Sequence, residues 1–217
     1  MEFTLETKIG PVDVVPAQGD LPAEIPEHPT GNSWVGIDTE TSGLDWSVDQ
    51  LGLVQVYLPA IETVYLIRPH ESIPSRLVAL LESSEWTKAF HFAMFDLRFL
   101  AGQWELTPSN IRCTKIASKL LSPKREKHSL ANLIADYFDV ELTKDRSVRV
   151  SDWTAEQLTR DQLSYAALDA VYLPELFQQL QSKLEHQNRS ALASRCFSFL
   201  PTQLQADLLG IDDLFGY

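Results

Sequence analysis

At 217 residues, with 44% hydrophobic and 22% charged side chains, the chain is long enough to bury one large core and has ordinary globular composition. No apolar run approaches the ~18–20 residues a membrane-spanning helix needs, and Glu2 and Glu6 stand where a secretory signal would be basic. A net charge of −12 argues against a broad basic surface that grips nucleic acid through phosphates alone. It leaves room for an enzyme whose bound metals meet the phosphate. Cys113 and Cys196 are too isolated for a zinc site or a disulfide framework, and are expected as free thiols in a reducing cytoplasm.

Residues 1–33 carry five of the twelve prolines, and are expected as a lead-in with short edge strands at Thr4–Ile9 and Val12–Val15. From Trp34 the pattern sharpens. Strand 34–40 is followed by Leu51–Leu58 and Thr63–Ile67, three short runs with tight connections that predict an antiparallel meander. Apolar spacing at Ile73, Leu77, Leu80 and Leu81 predicts a helix over 72–84. Next come a strand at Lys88–His91, a helix opening at Phe95–Leu100, a strand at Asn110–Cys113, and helices over 114–121 and 128–138. Leu163–Leu184 is the longest helical pattern, with a kink or break expected at Leu173-Pro174. The apolar residues of 190–217 fall at helical spacing and predict an extension docked on the domain. The fold class is therefore α/β: a mixed sheet flanked by helices, with 34–184 as the main domain.

The chemistry begins at Asp38-Thr-Glu40. Side chains two apart on a strand share a face, so these carboxylates project together where the strand meets solvent. Two negative charges side by side need a shared proton or a cation between them, and Mg2+ and Mn2+ are the cations carboxylates hold best. Alone, the pair is better read as an acidic strand end in a very acidic protein, until other carboxylates join it. Asp96 follows a predicted strand at the start of a helix, where a lone Asp is usually an N-cap. Tyr165 and Asp169, at i and i+4, look at one spot, and an Asp among apolar and small residues in mid-helix needs a positive partner. Together Asp38, Glu40, Asp96 and Asp169 are a set able to hold two divalent ions about 3.5–4 Å apart, as used for in-line phosphodiester displacement. Tyr165, with an ordinary pKa near 10, suits orienting the attacking water. Two basic clusters, Lys124–His128 and Lys144, Arg146 and Arg149, lie between the carboxylate segments, where a phosphate backbone could be guided.

Asp38-Thr-Glu40, His91-Phe-Ala-Met-Phe-Asp96 and Tyr165-x-x-x-Asp169 resemble the three exonuclease motifs of the DEDD superfamily, tyrosine branch, and the ribonuclease D family in particular. Lys144–Trp153 is similar to the segment that precedes the third motif there. The resemblance covers about residues 34–184. It implies a ribonuclease H-like fold and 3′→5′ release of nucleoside monophosphates from RNA or DNA with two Mg2+ or Mn2+ ions. Asp38, Glu40, Asp96 and Asp169 would be the metal ligands and Tyr165 the water-orienting residue. It further implies contact with the terminal nucleotide by Thr41 and Leu44, the latter wedging against a base. Turn packing is the alternative for Leu44. Phe92 stands where the family usually has Asn after the motif histidine, and is carried over with Lys144 and Arg149 as a substrate-binding position. His91 and His128 are expected to be structural or solvated. No helicase-and-RNase-D C-terminal domain is recognisable, so a stand-alone or partner-dependent enzyme is expected, and a catalytically inactive binding module of the same fold is the alternative.

Overall fold

A computed structural model describes residues 2–142, 146–211 and 214–215. Among them β1 (Phe3–Thr7), β2 (Gly10–Gln18), β3 (Trp34–Thr41), β4 (Leu51–Leu58), β5 (Thr63–Arg68), β6 (Thr87–Phe90) and β7 (Ile111–Cys113) form one sheet, ordered β1-β2-β5-β4-β3-β6-β7. The expected meander is present, β3 and β5 each lying antiparallel to β4. β6 joins β3 in parallel and β7 joins β6 in parallel, because helices α1 (Ser75–Glu82) and α2 (Met94–Trp104) return the chain across the sheet. The remaining helices are α3 (Thr114–Leu121), α4 (Leu130–Phe138), α5 (Arg146–Arg149), α6 (Arg160–Val171), α7 (Leu173–His186) and α8 (Ser190–Leu208).

The first 33 residues do more than lead in. β2 runs parallel to β5 over Asp13–Gln18, so of these two strands β1 alone lies at an edge. Pro16 lies beyond the last β1–β2 pair, where one flank of β2 has no strand, and a residue lacking an N–H is tolerated there. Asp20 then caps α1 from outside: its Oδ1 accepts from the Leu77 N–H at 2.9 Å and its Oδ2 from the Arg76 N–H at 3.0 Å. That supplies the cap the helix lacks locally, since Pro74 precedes it with no side-chain cap.

Two apolar layers hold the sheet. Val35, Ile37, Val54, Val56 and Ile67 pack with Leu77 and Leu81 of α1 and Leu97 and Leu100 of α2. On the other face Leu53, Tyr57, Val64 and Leu66 lie under Ala166, Ala167 and Ala170 of α6. α8 is tied on by the Arg98–Asp207 ion pair at 2.7 Å and by an edge-on contact of Phe197 with Phe177, ring centroids 5.4 Å apart.

The long helical pattern breaks at Tyr172, as Pro174 demands. Proline has no N–H to give the Ala170 carbonyl, so α6 stops and α7 starts afresh. The end of α6 comes down on β3 at Gly36. A Cβ there would lie 2.2 Å from the Ala170 carbonyl oxygen and 3.0 Å from Pro174 Cδ. Gly36→Ala is therefore expected to lift α6 from the sheet, costing about 2–3 kcal/mol of stability and most of the activity, since α6 carries Tyr165 and Asp169. Thermal unfolding beside a nuclease assay checks this; an alanine variant with wild-type Tm and rate would show that the close approach is not needed.

Candidate active site

β3 alternates as the sequence predicts. Val35, Ile37 and Thr39 turn into one layer; Gly36, Asp38 and Glu40 share the face under α6. Because α6 is seated on Gly36, it delivers Asp169 to the same spot. Oxygens of Asp38, Glu40 and Asp169 all lie within 4.8 Å of one another. A bulge between Glu40 and Thr41 then ends the regular β3–β4 pairing.

Asp96 arrives from the opposite layer. It is the third residue of α2, not its N-cap, which is Ala93. The side chain is 2% exposed. Its Oδ1 accepts the Thr39 hydroxyl at 2.7 Å, while Oδ2 has no hydrogen-bond partner among the described residues. Thr39, between the two acids of the first motif, thus links the two sides of the sheet. Its signal in the sequence was only its place between them.

The electrostatics follow from this crowding. Burial raises the Asp38 carboxyl well above its ordinary range, and Asp96, Asp169 and Glu40 raise it further. Glu40 is raised well above its own by burial, then by Asp169 and Asp96. Burial pushes Asp96 up to about 7 against the pull of the Thr39 hydroxyl, and Asp169 up to about 7 against a hydrogen bond from Tyr165. The Tyr165 phenol is itself raised, by burial first and then by Asp169, Glu40 and Asp38, and keeps its proton. Four carboxylates so placed have one economical neutraliser, a divalent cation, and the unpaired Asp96 Oδ2 is a ready ligand atom. The residues fit a metal site.

Tyr165 is held in turn by Trp153, ring centroids 6.1 Å apart. Trp153 is buried with its backbone on Gly52 of β4, where a Cβ would meet its carbonyl oxygen at 2.6 Å. A cleft of about 280 Å3 lined by Leu142, Val148, Asp161, Ser164 and Leu168 opens onto Tyr165 and Asp169.

The substrate-contact candidates divide. Leu44 is 85% exposed, so turn packing does not account for it. The Thr41 hydroxyl is used inside the turn, donating to the Gly43 carbonyl at 2.6 Å. Phe92 has φ +64, a left-handed backbone that favours Gly or Asn and gives a physical reason for the Asn usual there. Its ring is 48% exposed with the Lys115 ammonium 3.9 Å from the centroid. Lys144 lies outside the described residues, as does the side chain of Arg149, whose backbone belongs to α5. In the other basic cluster Arg125 pairs with Asp136 at 2.5 Å. His91 is structural: burial and nearby Lys115 push it down to about 3, and its Nδ1 meets the Thr114 hydroxyl at 2.8 Å. His128 meets Ser118 at the same distance.

A family model described as 3′-5′ exonuclease matches residues 15–185. The chain belongs to the 3′-5′ exonuclease family. Within it the solved relatives place the chain in the DEDD superfamily, and the sheet is ribonuclease H-like. The chain is 37% identical to Brucella melitensis NrnC, solved with bound Mg2+, covering 94% of this chain and 98% of that one with a TM-score of 0.83. The same protein has been solved bound to pGG, with a TM-score of 0.84. Escherichia coli RNase D is 27% identical, with a TM-score of 0.71 over 80% of this chain and 45% of that one. Ribonuclease D of Serratia proteamaculans is 30% identical over 164 residues, 74% of this chain and 42% of that protein. The chain therefore spans less than half the length of that ribonuclease D. None of its helices, among the described residues, is long and apolar enough to cross a membrane.

Proposed function

We propose that the protein removes nucleoside 5′-monophosphates from the 3′ end of single-stranded nucleic acid, using two Mg2+ or Mn2+ ions held by Asp38, Glu40, Asp96 and Asp169. The observation that carries this reading is the convergence of three carboxylates within 4.8 Å, beside a fourth with an unpaired buried oxygen. A surface that merely binds nucleic acid gains nothing from four clustered negative charges, which argues against the inactive alternative. NrnC bound to pGG supports short oligoribonucleotides, down to dinucleotides, as substrates here. Two thiols outside any disulfide support a cytoplasmic location. We take 34–184 as the catalytic unit, with 1–33 completing its sheet and 185–217 braced against it.

Divalent ions in this cradle supply Lewis acidity toward the scissile phosphate and make water ionisable near neutral pH. The chain's own groups do the rest. Asp38, Glu40 and Asp169 define where the phosphate must sit, and Thr39 holds Asp96 by one oxygen, leaving the other for a cation. The Tyr165 hydroxyl donates to Asp169. Its own oxygen stays free to accept from the attacking water, which it orients without deprotonating. Leu44 wedges against the terminal base, Thr41 lies beneath it and Phe92 lines the path of the strand; Lys144 and Arg149 are carried as substrate contacts by their place in the sequence alone.

Incubation with 5′-labelled single strands and Mn2+ is expected to give a ladder shortening from the 3′ end, abolished by EDTA. Cutting of a circular single strand, which has no 3′ end, would instead make the enzyme an endonuclease. Tyr165→Phe is expected to lower kcat about 10²-fold with KM nearly unchanged, because an orienting hydrogen bond acts in the chemical step. A rise in KM at unchanged kcat would place the hydroxyl on the substrate rather than the water.

A further inference from the structure

Gln55 has no place in the mechanism so far. β4 is buried along its whole length, Leu51–Leu58, and Gln55 is the amide in that apolar run. It is 0% exposed, and neither Nε2 nor Oε1 has a hydrogen-bond partner among the described residues. Among the described residues the other buried side-chain atom in this state is Asp96 Oδ2, of a carboxyl close enough to raise Asp38 and Glu40. An unpaired buried amide is destabilising, and Leu or Met would fill the same space without that cost. Such a group calls for a reason.

Its position supplies one. In the antiparallel β3–β4 ladder Gln55 stands directly opposite Asp38. Residues so paired share a face, with Cβ atoms about 4.5–5.5 Å apart, a gap that the longer glutamine side chain spans to reach a carboxylate. On its other side Gln55 pairs with Leu66 of β5, which packs with Ala166, Ala167 and Ala170 of α6. Gln55 therefore lies enclosed between Asp38 and the helix that carries Tyr165 and Asp169. An amide N–H is a donor without charge, so it steadies an ionised carboxylate while leaving its full charge for a cation.

We propose that Gln55 is a positioning residue for the cluster: when the acids are ionised around a cation, its Nε2–H turns to donate to the Asp38 carboxylate and holds it in the rotamer that faces Glu40 and Asp169. The proposal rests on the metal-dependent reading above, and its test separates the two. Gln55→Met keeps the unbranched shape and removes the donor, and Gln55→Leu is a second apolar variant. In EDTA, each is expected to unfold cooperatively with Tm raised by about 2–4 °C, since a buried unpaired amide is gone. Calorimetric titration with Mn2+ alone is expected to give a Kd weakened about 10-fold or more, as for loss of a partner that orients a metal ligand. An amide that is merely structural would change Tm and leave the Mn2+ Kd alone, overturning the proposal, as would failure of both variants to fold. Wild-type protein that takes up no Mn2+ overturns the metal reading itself and this proposal with it.

Discussion

Replacing Asp169 by asparagine is expected to lower exonuclease turnover 10³-fold or more while raising the Tm of the metal-free protein by about 4–8 °C. The loss of rate comes from the cradle. Asp169 contributes one of three oxygens that lie within 4.8 Å of one another, and a neutral amide in its place holds a divalent ion poorly. About 4 kcal/mol of transition-state stabilisation, the equivalent of 10³ in rate, is an ordinary loss for such a ligand. The gain in stability has the opposite origin. Burial pushes the Asp169 carboxyl up to about 7, so at pH 8 the folded chain must hold an ionised group it disfavours, beside Asp38 and Glu40. Asparagine removes that charge and keeps an oxygen to accept from Tyr165. With the side chain only partly enclosed, the gain is about 2 kcal/mol, or ~4–8 °C for a chain of this size. Thermal unfolding in EDTA at pH 8, with single-turnover assays in Mn2+, checks both halves. A variant less stable than wild type without metal would contradict the picture of mutually repelling acids.

Saturating Mn2+ is expected to raise the Tm of the wild-type protein by about 5–10 °C at pH 8 and by almost nothing at pH 5.5. The first figure is mass action: a ligand at ~100 times its Kd stabilises the native state by about 2.7 kcal/mol. The pH dependence follows from proton competition. Folded Asp96 and Asp169 keep their protons up to about 7, whereas unfolded carboxylates lose theirs near 4. Between those values the native state binds more protons. Stability drawn from these two groups is therefore fully present below pH 4 and is lost as pH rises through 7. Above 7 the cluster is ionised and strained, and a cation relieves it; below 7 the ion must displace protons, and its apparent affinity falls. His91, pushed down to about 3, and Lys88, pushed down to about 7 by burial and Arg112, titrate in the opposite sense. They do so with or without metal, so the difference between the two melting curves at each pH cancels them. A Mn2+ response equally large at pH 5.5 and pH 8 would mean that the metal does not compete for these carboxylates.

Much of the site is written in short patterns. Strand alternation puts Asp38 and Glu40 on one face, and helical spacing puts Tyr165 and Asp169 on another; both relations are local and survive in the fold. Pro174 likewise dictates the break between α6 and α7, because a missing N–H is a property of the residue itself. Other features gave weaker signs. Gln55 stands as a polar residue in an apolar strand, and Phe92 as an aromatic where the family has Asn. The sign of φ that makes sense of Phe92 is not visible in the chain. The proline-rich start gave a misleading sign: it reads as a lead-in, yet β2 pairs with β5, some fifty residues away.

By itself, then, the sequence determined which residues are candidates for the chemistry, which element each belongs to and the sheet's central meander, because these depend on side-chain type and on periods of two and 3.6. Only the tertiary structure decided that the acids meet. Gly36 had to admit the Ala170 carbonyl before α6 could bring Asp169 over β3, and Thr39, turned to the opposite face, had to meet Asp96 of α2 there. Such contacts join positions 57 to 134 residues apart. Their existence depends on how closely two backbones approach, which is a property of packing and not of spacing along the chain.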